Sequence, residues 1–151
     1  MKIALYVLIA ILILAVALRL LIPFMSPEPD NLGVQEGKLA SCPDTPNCVS
    51  SFAAGGDAAI DPIEFTGSAG EAKASLLNVL DEMPRSTIRT NEPNYVRVVT
   101  RSPIMGYLDD NEFLIDEESG VIHVRAAARL GRSDLGANRM RIEQIRQLMQ
   151  P

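Results

Sequence analysis

The stretch GVIHVRAAARLGRSDLGANRMRIEQIRQ, residues 120–147, is predicted to form a strand, a tight turn and a helix. Because strand side chains alternate between two faces, Ile122 and Val124 share an apolar face with Ala126 and Ala128. The other face is charged and carries His123, Arg125 and Arg129. The pattern therefore predicts a sheet with one face on a hydrophobic core and a second face lined by charges.

The end of this stretch predicts an amphipathic helix that Ser133 or Asp134 can cap. Its apolar stripe would contain Leu135, Ile142, Ile145 and Met149, with Asn138 in the middle. A buried amide is costly unless it is hydrogen-bonded, so we expect Asn138 to fasten the helix to a backbone group or a loop. Contact with a ligand is the alternative for Asn138, and Arg139 is a further candidate for such a contact.

The strand pairs with residues 107–116 in a predicted hairpin whose turn is residues 117–120. Pairing Asp116 with Val121 places Glu112 opposite Arg125, whereas a slip of one residue would put Arg125 among apolar groups. A further strand over residues 94–101 adds two more arginines to the charged face. The face then gathers Arg97, Arg101, Asp110, Glu112, His123, Arg125 and Arg129.

Three interpretations of this face stay open at the level of sequence. It is a solvated surface of cross-strand ion pairs, each contributing about 0.2–1 kcal/mol. It is an anion-binding face, since guanidinium groups bind carboxylate or phosphate in a bidentate way. Or it is a catalytic site in which Asp110 or Glu112 acts as general acid or base, assisted by His123 or an arginine. No motif for a Ser-His-Asp triad, a P-loop or a zinc protease is present, and no catalytic residue, cofactor or metal is assigned.

The N-terminus reads as a membrane anchor. Residues 3–18 are an unbroken apolar run that continues past Arg19, long enough for a single transmembrane helix over residues 1–25. A cleaved signal peptide is the alternative, but the small-residue pattern lies inside the apolar run with no polar region after it. Residues 26–38, with two prolines and two glycines, are predicted to be a linker, and residues 39–151 the globular domain.

Cys42 and Cys48 are the only two cysteines. A domain held outside the cytoplasm meets an oxidising compartment, which favours a disulfide between them. A reactive thiol is the alternative, while a structural zinc site has too few ligands. The net charge of −5 excludes the usual basic profile of a nucleic-acid-binding protein.

Residues 68–71 (Ser-Ala-Gly-Glu) match a capping box, which predicts the start of a helix that ends before Pro84. Shorter strands are predicted at residues 60–65 and 86–90. The fold class is therefore α+β. We expect an antiparallel sheet of four or five strands with two helices on one face, preceded by the transmembrane helix.

Three blocks, CPDTPNCVSS (42–51), LDDNEF (108–113) and RAAARLGRSDLGANRMRIE (125–143), resemble the domain of unknown function 1499 family. The resemblance implies a bacterial membrane-associated or exported protein and no established activity. Serines are usual in the family where this chain has Ala126 and Ala128, which argues against a hydroxyl nucleophile there.

Together these features predict a single-pass protein of the bacterial inner membrane with its domain in the periplasm. We expect a binding or assembly module for an anionic small molecule or a partner protein. The alternatives are an enzyme that uses the Asp110, Glu112 and Arg125 face, and an inert spacer domain.

Overall fold

The computed structural model describes residues 2–150. Its helices are α1 (Lys2–Leu21), α2 (Ala69–Glu82) and α3 (Ala137–Met149). Its strands are β1 (Val34–Gln35), β2 (Lys38–Leu39), β3 (Cys48–Ser50), β4 (Ile63–Glu64), β5 (Ser86–Asn91), β6 (Tyr95–Arg101), β7 (Leu108–Asp116) and β8 (Val121–Ala128).

The main sheet is antiparallel and has six strands, which corrects the predicted four or five. Its order is β3-β8-β7-β6-β5, and β4 pairs with β8 beside β3. The strand of the main sheet that the sequence did not indicate is β3, which is three residues long and too short to show alternation. The α+β class is confirmed.

The predicted hairpin register is confirmed. Asp116 pairs with Val121 and Glu112 with Arg125, while β6 places Arg97 opposite Glu112. Phe113 and Val124 therefore lie on one face of the sheet, and Glu112 and Arg125 on the other, as alternation along each strand requires.

Both α2 and α3 cover the apolar face, as expected. Leu76 of α2 and Ile142 of α3 join Phe113, Ile122 and Val124 in one buried cluster. The capping box is present, since Ser68 Oγ accepts from the Glu71 backbone N–H at 3.3 Å and Glu71 Oε2 accepts from the Ser68 N–H at 2.9 Å. The local signals and the long-range packing agree in this half of the domain.

The predicted stripe of α3 is wrong at Leu135, whose side chain is 90% exposed. Leu135 (φ 56°) and Gly136 (φ 81°) both adopt left-handed backbone angles, so the helix begins only at Ala137 and Leu135 lies before it. The N-cap is therefore Gly136, not the predicted Ser133 or Asp134, although Asp134 Oδ2 accepts from the Asn138 backbone N–H of the first turn at 2.8 Å.

The charged face is covered by residues 22–41, here called the connecting segment, which leads from α1 into the domain. Its β1–β2 hairpin brings Leu39 against Tyr95 and Leu114, and Leu39 is 4% exposed. The interpretation of a solvated face is therefore wrong for its central residues. Side chains that water was expected to cover are buried, namely Arg97, Asp110, Glu112 and Arg125.

α1 is long and apolar enough to cross a membrane, and a signal sequence near the N-terminus would have the same features. None of its described residues is buried against the domain. Its fully exposed apolar surface fits a helix that packs against something other than the protein.

Candidate functional site

Glu112 lies at the centre of the covered face and is fully buried. Its Oε2 accepts from Arg125 Nη1 at 2.8 Å, and its Oε1 accepts from the Tyr95 hydroxyl at 2.9 Å and the Gly33 backbone N–H at 2.8 Å. Three donors thus compensate the buried carboxylate for the water it has lost. Burial, and then the nearby carboxylate of Glu112, raise the pKa of Tyr95 far above its usual value, so the hydroxyl remains a donor.

Asp110, on the same face as Glu112, is a second buried carboxylate that accepts hydrogen bonds from arginines. Arg129 donates to both of its oxygens, from Nε to Oδ2 at 2.7 Å and from Nη2 to Oδ1 at 3.0 Å. Arg97 Nη1 adds a bond to Oδ1 at 3.1 Å. The carboxylate is therefore held in the bidentate manner that guanidinium groups favour.

The connecting segment contributes further groups to this network from its position over the charged face. Glu28, 57% exposed at its side chain, accepts from Arg97 Nη2 at 2.9 Å and lies 3.7 Å from Arg129 Nη2. Arg129 Nη1 also donates to the Ser26 carbonyl at 3.2 Å. Three arginines thus face three carboxylates, so the network as a whole has no excess charge.

A cavity of about 350 Å³ lies between the connecting segment and the ends of β7 and β8. Its wall is formed by Pro29, Asn31, Ser41, Cys42, Pro43, Asp110, Arg125, Ala127, Ala128 and Arg129. The charged groups on this wall are two guanidinium groups and the one carboxylate that Arg129 already binds. The cavity therefore presents donors more than acceptors to an incoming molecule.

Arg125, a residue of this wall, has a buried donor without a partner. Arg125 is 4% exposed, and its Nε has no hydrogen-bond partner. Within residues 2–150, no other buried side-chain nitrogen or oxygen lacks a partner. A buried donor without a partner costs about 1–3 kcal/mol, and most proteins avoid it. An acceptor from outside the chain would satisfy it.

Of the residues predicted for the site, the structure brings together Arg97, Asp110, Glu112, Arg125 and Arg129. Arg101 lies apart and exposed at the end of β6, and the network does not include it. His123 lies toward the other end of β8, two positions before Arg125. Sequence reasoning missed Glu28 and Gly33, because the connecting segment has no apolar periodicity that would indicate packing.

His123 belongs to a separate group of side chains. Its ring stacks on Phe52 with centroids 4.2 Å apart, and its Nδ1 lies 3.2 Å from Ser51 Oγ. Asp116 Oδ2 lies 3.8 Å from His123 Nε2, which is too long for a hydrogen bond, and it accepts instead from Ser119 Oγ at 2.6 Å.

This Ser-Asp-His arrangement was not apparent in the sequence, because Ser51 lies 72 residues before His123, although Asp116 and His123 belong to one hairpin. Ser51 Oγ already accepts from the Val124 backbone N–H at 3.0 Å, so its hydroxyl is part of the contact between β8 and the loop after β3. Burial lowers the pKa of His123, opposed by Asp116. We assign the group a structural role in joining the two segments.

Asn138 and Arg139 lie on the helical side of the sheet. Asn138 Nδ2 donates to the Asn47 carbonyl at 3.0 Å, which is the fastening role expected of a buried amide. Arg139 Nη2 donates to the carbonyls of Ala59 at 2.6 Å and Asp57 at 3.0 Å. Both side chains hold loops against α3 and are separated from the cavity by the sheet.

A neighbouring arginine that was not predicted, Arg141, organises the helical side. Its Nη2 donates to Asp109 Oδ2 at 2.7 Å, and its Nη1 donates to Asn111 Oδ1 at 3.0 Å. Burial raises the pKa of Asp109, although the Arg141 guanidinium acts in the opposite direction. These groups bind one another on the side of the sheet opposite the cavity.

The predicted disulfide is confirmed, with Cys42 Sγ and Cys48 Sγ 2.04 Å apart. Cys42 lies in the cavity wall, while Cys48 begins β3. The bridge therefore connects the loop over the cavity to the edge of the sheet. Within residues 2–150 no group of three or more His, Cys, Asp or Glu side chains is arranged to hold a metal ion.

Comparisons with known proteins agree with the resemblance seen in the sequence. No curated protein and no solved structure matches the chain. The family described as "Protein of unknown function (DUF1499)" matches residues 38–149, which include the β1–β2 hairpin's second strand, the disulfide and the whole main sheet. The chain therefore belongs to the DUF1499 family.

Proposed function

We propose that this protein is a membrane-anchored domain on the outer side of the bacterial inner membrane that binds a small anion, a carboxylate or a phosphate. The anion lies in the cavity beneath the connecting segment, beside the guanidinium groups of Arg125 and Arg129. The observation that carries the proposal is that the buried Arg125 Nε lacks a partner and belongs to a residue of the cavity wall. Arg129 lies in the same wall and supplies positive charge beside the anion.

Two features support the proposed location. α1 has the length and composition of a membrane span, and the disulfide fits a domain that is exported to an oxidising compartment. The periplasm is such a compartment and receives single-pass domains of this orientation.

The direct test is calorimetric titration of the full-length chain in detergent micelles with inorganic phosphate and, separately, with succinate, at constant ionic strength. We expect saturable binding of at least one of them. Ala127→Leu places a larger side chain in the cavity without removing a charge, and we expect it to weaken binding at least tenfold. Ala54→Leu is the matched control, since Ala54 lines a neighbouring cavity that contains no arginine.

Glu28→Gln gives the opposite prediction. It removes the exposed carboxylate from the network and leaves one positive charge in excess, so we expect anions to bind several-fold more tightly. The proposal is wrong if neither anion binds the wild type, or if Ala127→Leu and Ala54→Leu weaken binding equally.

No observation favours the enzyme alternative. Glu112 uses both oxygens in bonds to Arg125, Tyr95 and Gly33, and Asp110 uses both in bonds to arginines. A general acid or base must be within reach of a substrate proton, and these two carboxylates are engaged. A partner protein remains compatible with the site if it offers an acidic side chain to the same cavity.

A further inference from the structure

The loop of residues 102–107, which joins β6 to β7, lies against the end of α1. Arg19 Nη1 donates to the carbonyls of Pro103 and Ile104, the first at 2.7 Å. The loop is closed by its own bonds, since the Ser102 backbone N–H donates to the Tyr107 carbonyl and the Tyr107 N–H donates to Ser102 Oγ. It is therefore a defined structure at a fixed position beside α1.

Gly106 makes the close approach to α1 possible. It has φ 78°, and a Cβ at this position would lie 3.4 Å from the Arg19 carbonyl oxygen. Both the backbone angle and the limited space favour glycine. The contact between the loop and the helix is thus made by backbone as well as by the Arg19 side chain.

This end of the domain exposes large apolar side chains. Ile104 is 80% exposed, and Phe24 and Met25, just after α1, are 87% and 67% exposed. Tyr107 is partly exposed at the end of the same loop. An apolar cluster next to an apolar helix is an extension of the same surface, and a folded domain rarely leaves one to water.

The depth of this cluster follows from the length of α1. Its 20 residues span about 30 Å, the thickness of the hydrocarbon core of a bilayer. Arg19 lies in its last turn, where a long cationic side chain reaches the level of the headgroups. Ile104 lies at that level because Arg19 binds its carbonyl.

We propose that residues 102–107 form a second membrane contact, with Ile104 inserted into the interfacial region of the lipid bilayer beside α1. Tyr107 and Phe24 take the interfacial positions that aromatic rings favour. The surface is thus continuous with the membrane-facing surface of α1. The contact fixes the orientation of the sheet relative to the membrane. The β7–β8 turn then lies at the end of the domain away from the bilayer, because the nine residues of β7 span about 30 Å. This inference rests on the membrane location of α1 in the proposed function.

Tryptophan fluorescence tests the inference cleanly, because the chain contains no tryptophan. Three single variants of the full-length chain, Ile104→Trp, Leu12→Trp in α1 and Glu118→Trp in the far turn, are reconstituted into vesicles of phosphatidylcholine and phosphatidylglycerol. Brominated lipids quench a tryptophan that contacts the acyl chains. Both Ile104 and Glu118 are exposed, so the fold accommodates either replacement.

We expect blue-shifted emission and strong quenching for Trp at positions 12 and 104, and emission typical of water without quenching at position 118. Quenching at 12 without quenching at 104 would overturn the membrane contact while leaving the anchor in place. A blue shift at 104 without lipid quenching would mean that protein, such as a second copy, covers the loop, which also overturns it. Absence of quenching at position 12 would overturn the anchor itself, and the loop contact with it.

Discussion

The two faces of the main sheet are buried by different means. On one face, α2 and α3 pack against an apolar cluster that contains Phe113, Ile122 and Val124, and Arg141 of α3 adds a polar contact to Asp109 at its margin. On the other face, the connecting segment covers Arg97, Asp110, Glu112 and Arg125 with little regular structure of its own. The sheet thus has a hydrophobic core on one face and a layer of buried charged side chains on the other.

The difference lies in what each face contributes to stability. Apolar burial stabilises by about 25 cal/mol for each Å² removed from water. Buried ion pairs often give no net stabilisation relative to apolar residues of the same size, because the loss of hydration offsets their attraction. A gain in stability therefore does not explain why charged residues occupy this face. The unpartnered Nε of Arg125 fits a role in binding instead.

The strongest way to break the charged face is Arg125→Ala. It leaves the Glu112 carboxylate fully buried without its cation, and removing one partner of such a pair lowers the free energy of unfolding by about 3–5 kcal/mol. Urea denaturation of the full-length chain in detergent, followed by circular dichroism, measures the change.

Leu76→Ala is the matched variant on the apolar face. Leu76 is fully buried, and its truncation lowers the free energy of unfolding by about 2–5 kcal/mol through lost burial and a cavity. Adding Glu112→Gln to Arg125→Ala removes the orphaned charge and should restore part of the loss, with no equivalent rescue for Leu76→Ala. A loss below about 1 kcal/mol for Arg125→Ala would mean that water reaches the charged face.

A smaller effect is expected from Cys42→Ser combined with Cys48→Ser. Opening this short loop lowers the free energy of unfolding by roughly 2 kcal/mol in the chain-entropy account. Because Cys42 lies in the cavity wall, we also expect weaker binding of phosphate or succinate to the folded protein. Leu76→Ala should leave that affinity unchanged, and equal loss of affinity in the two variants would contradict the assignment of the cavity.

The smallest effect concerns pH. The pKa of His123 is lowered in the folded state by burial, so the unfolded chain binds more protons below its usual pKa of about 6.5. Stability from this group is present above that pH and is lost as pH falls toward 5, with a slope below about 1.4 kcal/mol per unit. Thermal melts of His123→Gln should show a shallower pH dependence between 7 and 5 than the wild type. An unchanged slope would show that other groups dominate this range.

Alternation along the strands predicted much of the fold. The register that pairs Asp116 with Val121 followed from the need to keep Arg125 away from Ile122 and Val124, and the structure has that register. Alternation along β6 likewise places Tyr95 on the same face as Arg97, where its hydroxyl donates to Glu112. Local capping chemistry likewise identified the start of α2.

What the sequence could not indicate was the cover over the charges. Residues 22–41 contact the sheet through single polar groups, such as the Gly33 N–H and the Glu28 carboxylate, and through Leu39. None of these has a periodic pattern, and prolines and glycines in the segment are typical of a linker. The exposure of Leu135 was missed for a related reason, since a left-handed leucine has no distinctive sequence signal.

The connecting segment has a practical consequence for work on the isolated domain. The DUF1499 match begins at residue 38, after Glu28 and Gly33, so a fragment cut at that boundary would lose both contacts to the charged face. Truncation there would open Glu112 to solvent and remove Pro29 and Asn31 from the cavity. Ligand screens that use such a fragment would therefore test an incomplete site. Proteolysis of the chain after residue 38 in the cell would release the domain in the same altered form.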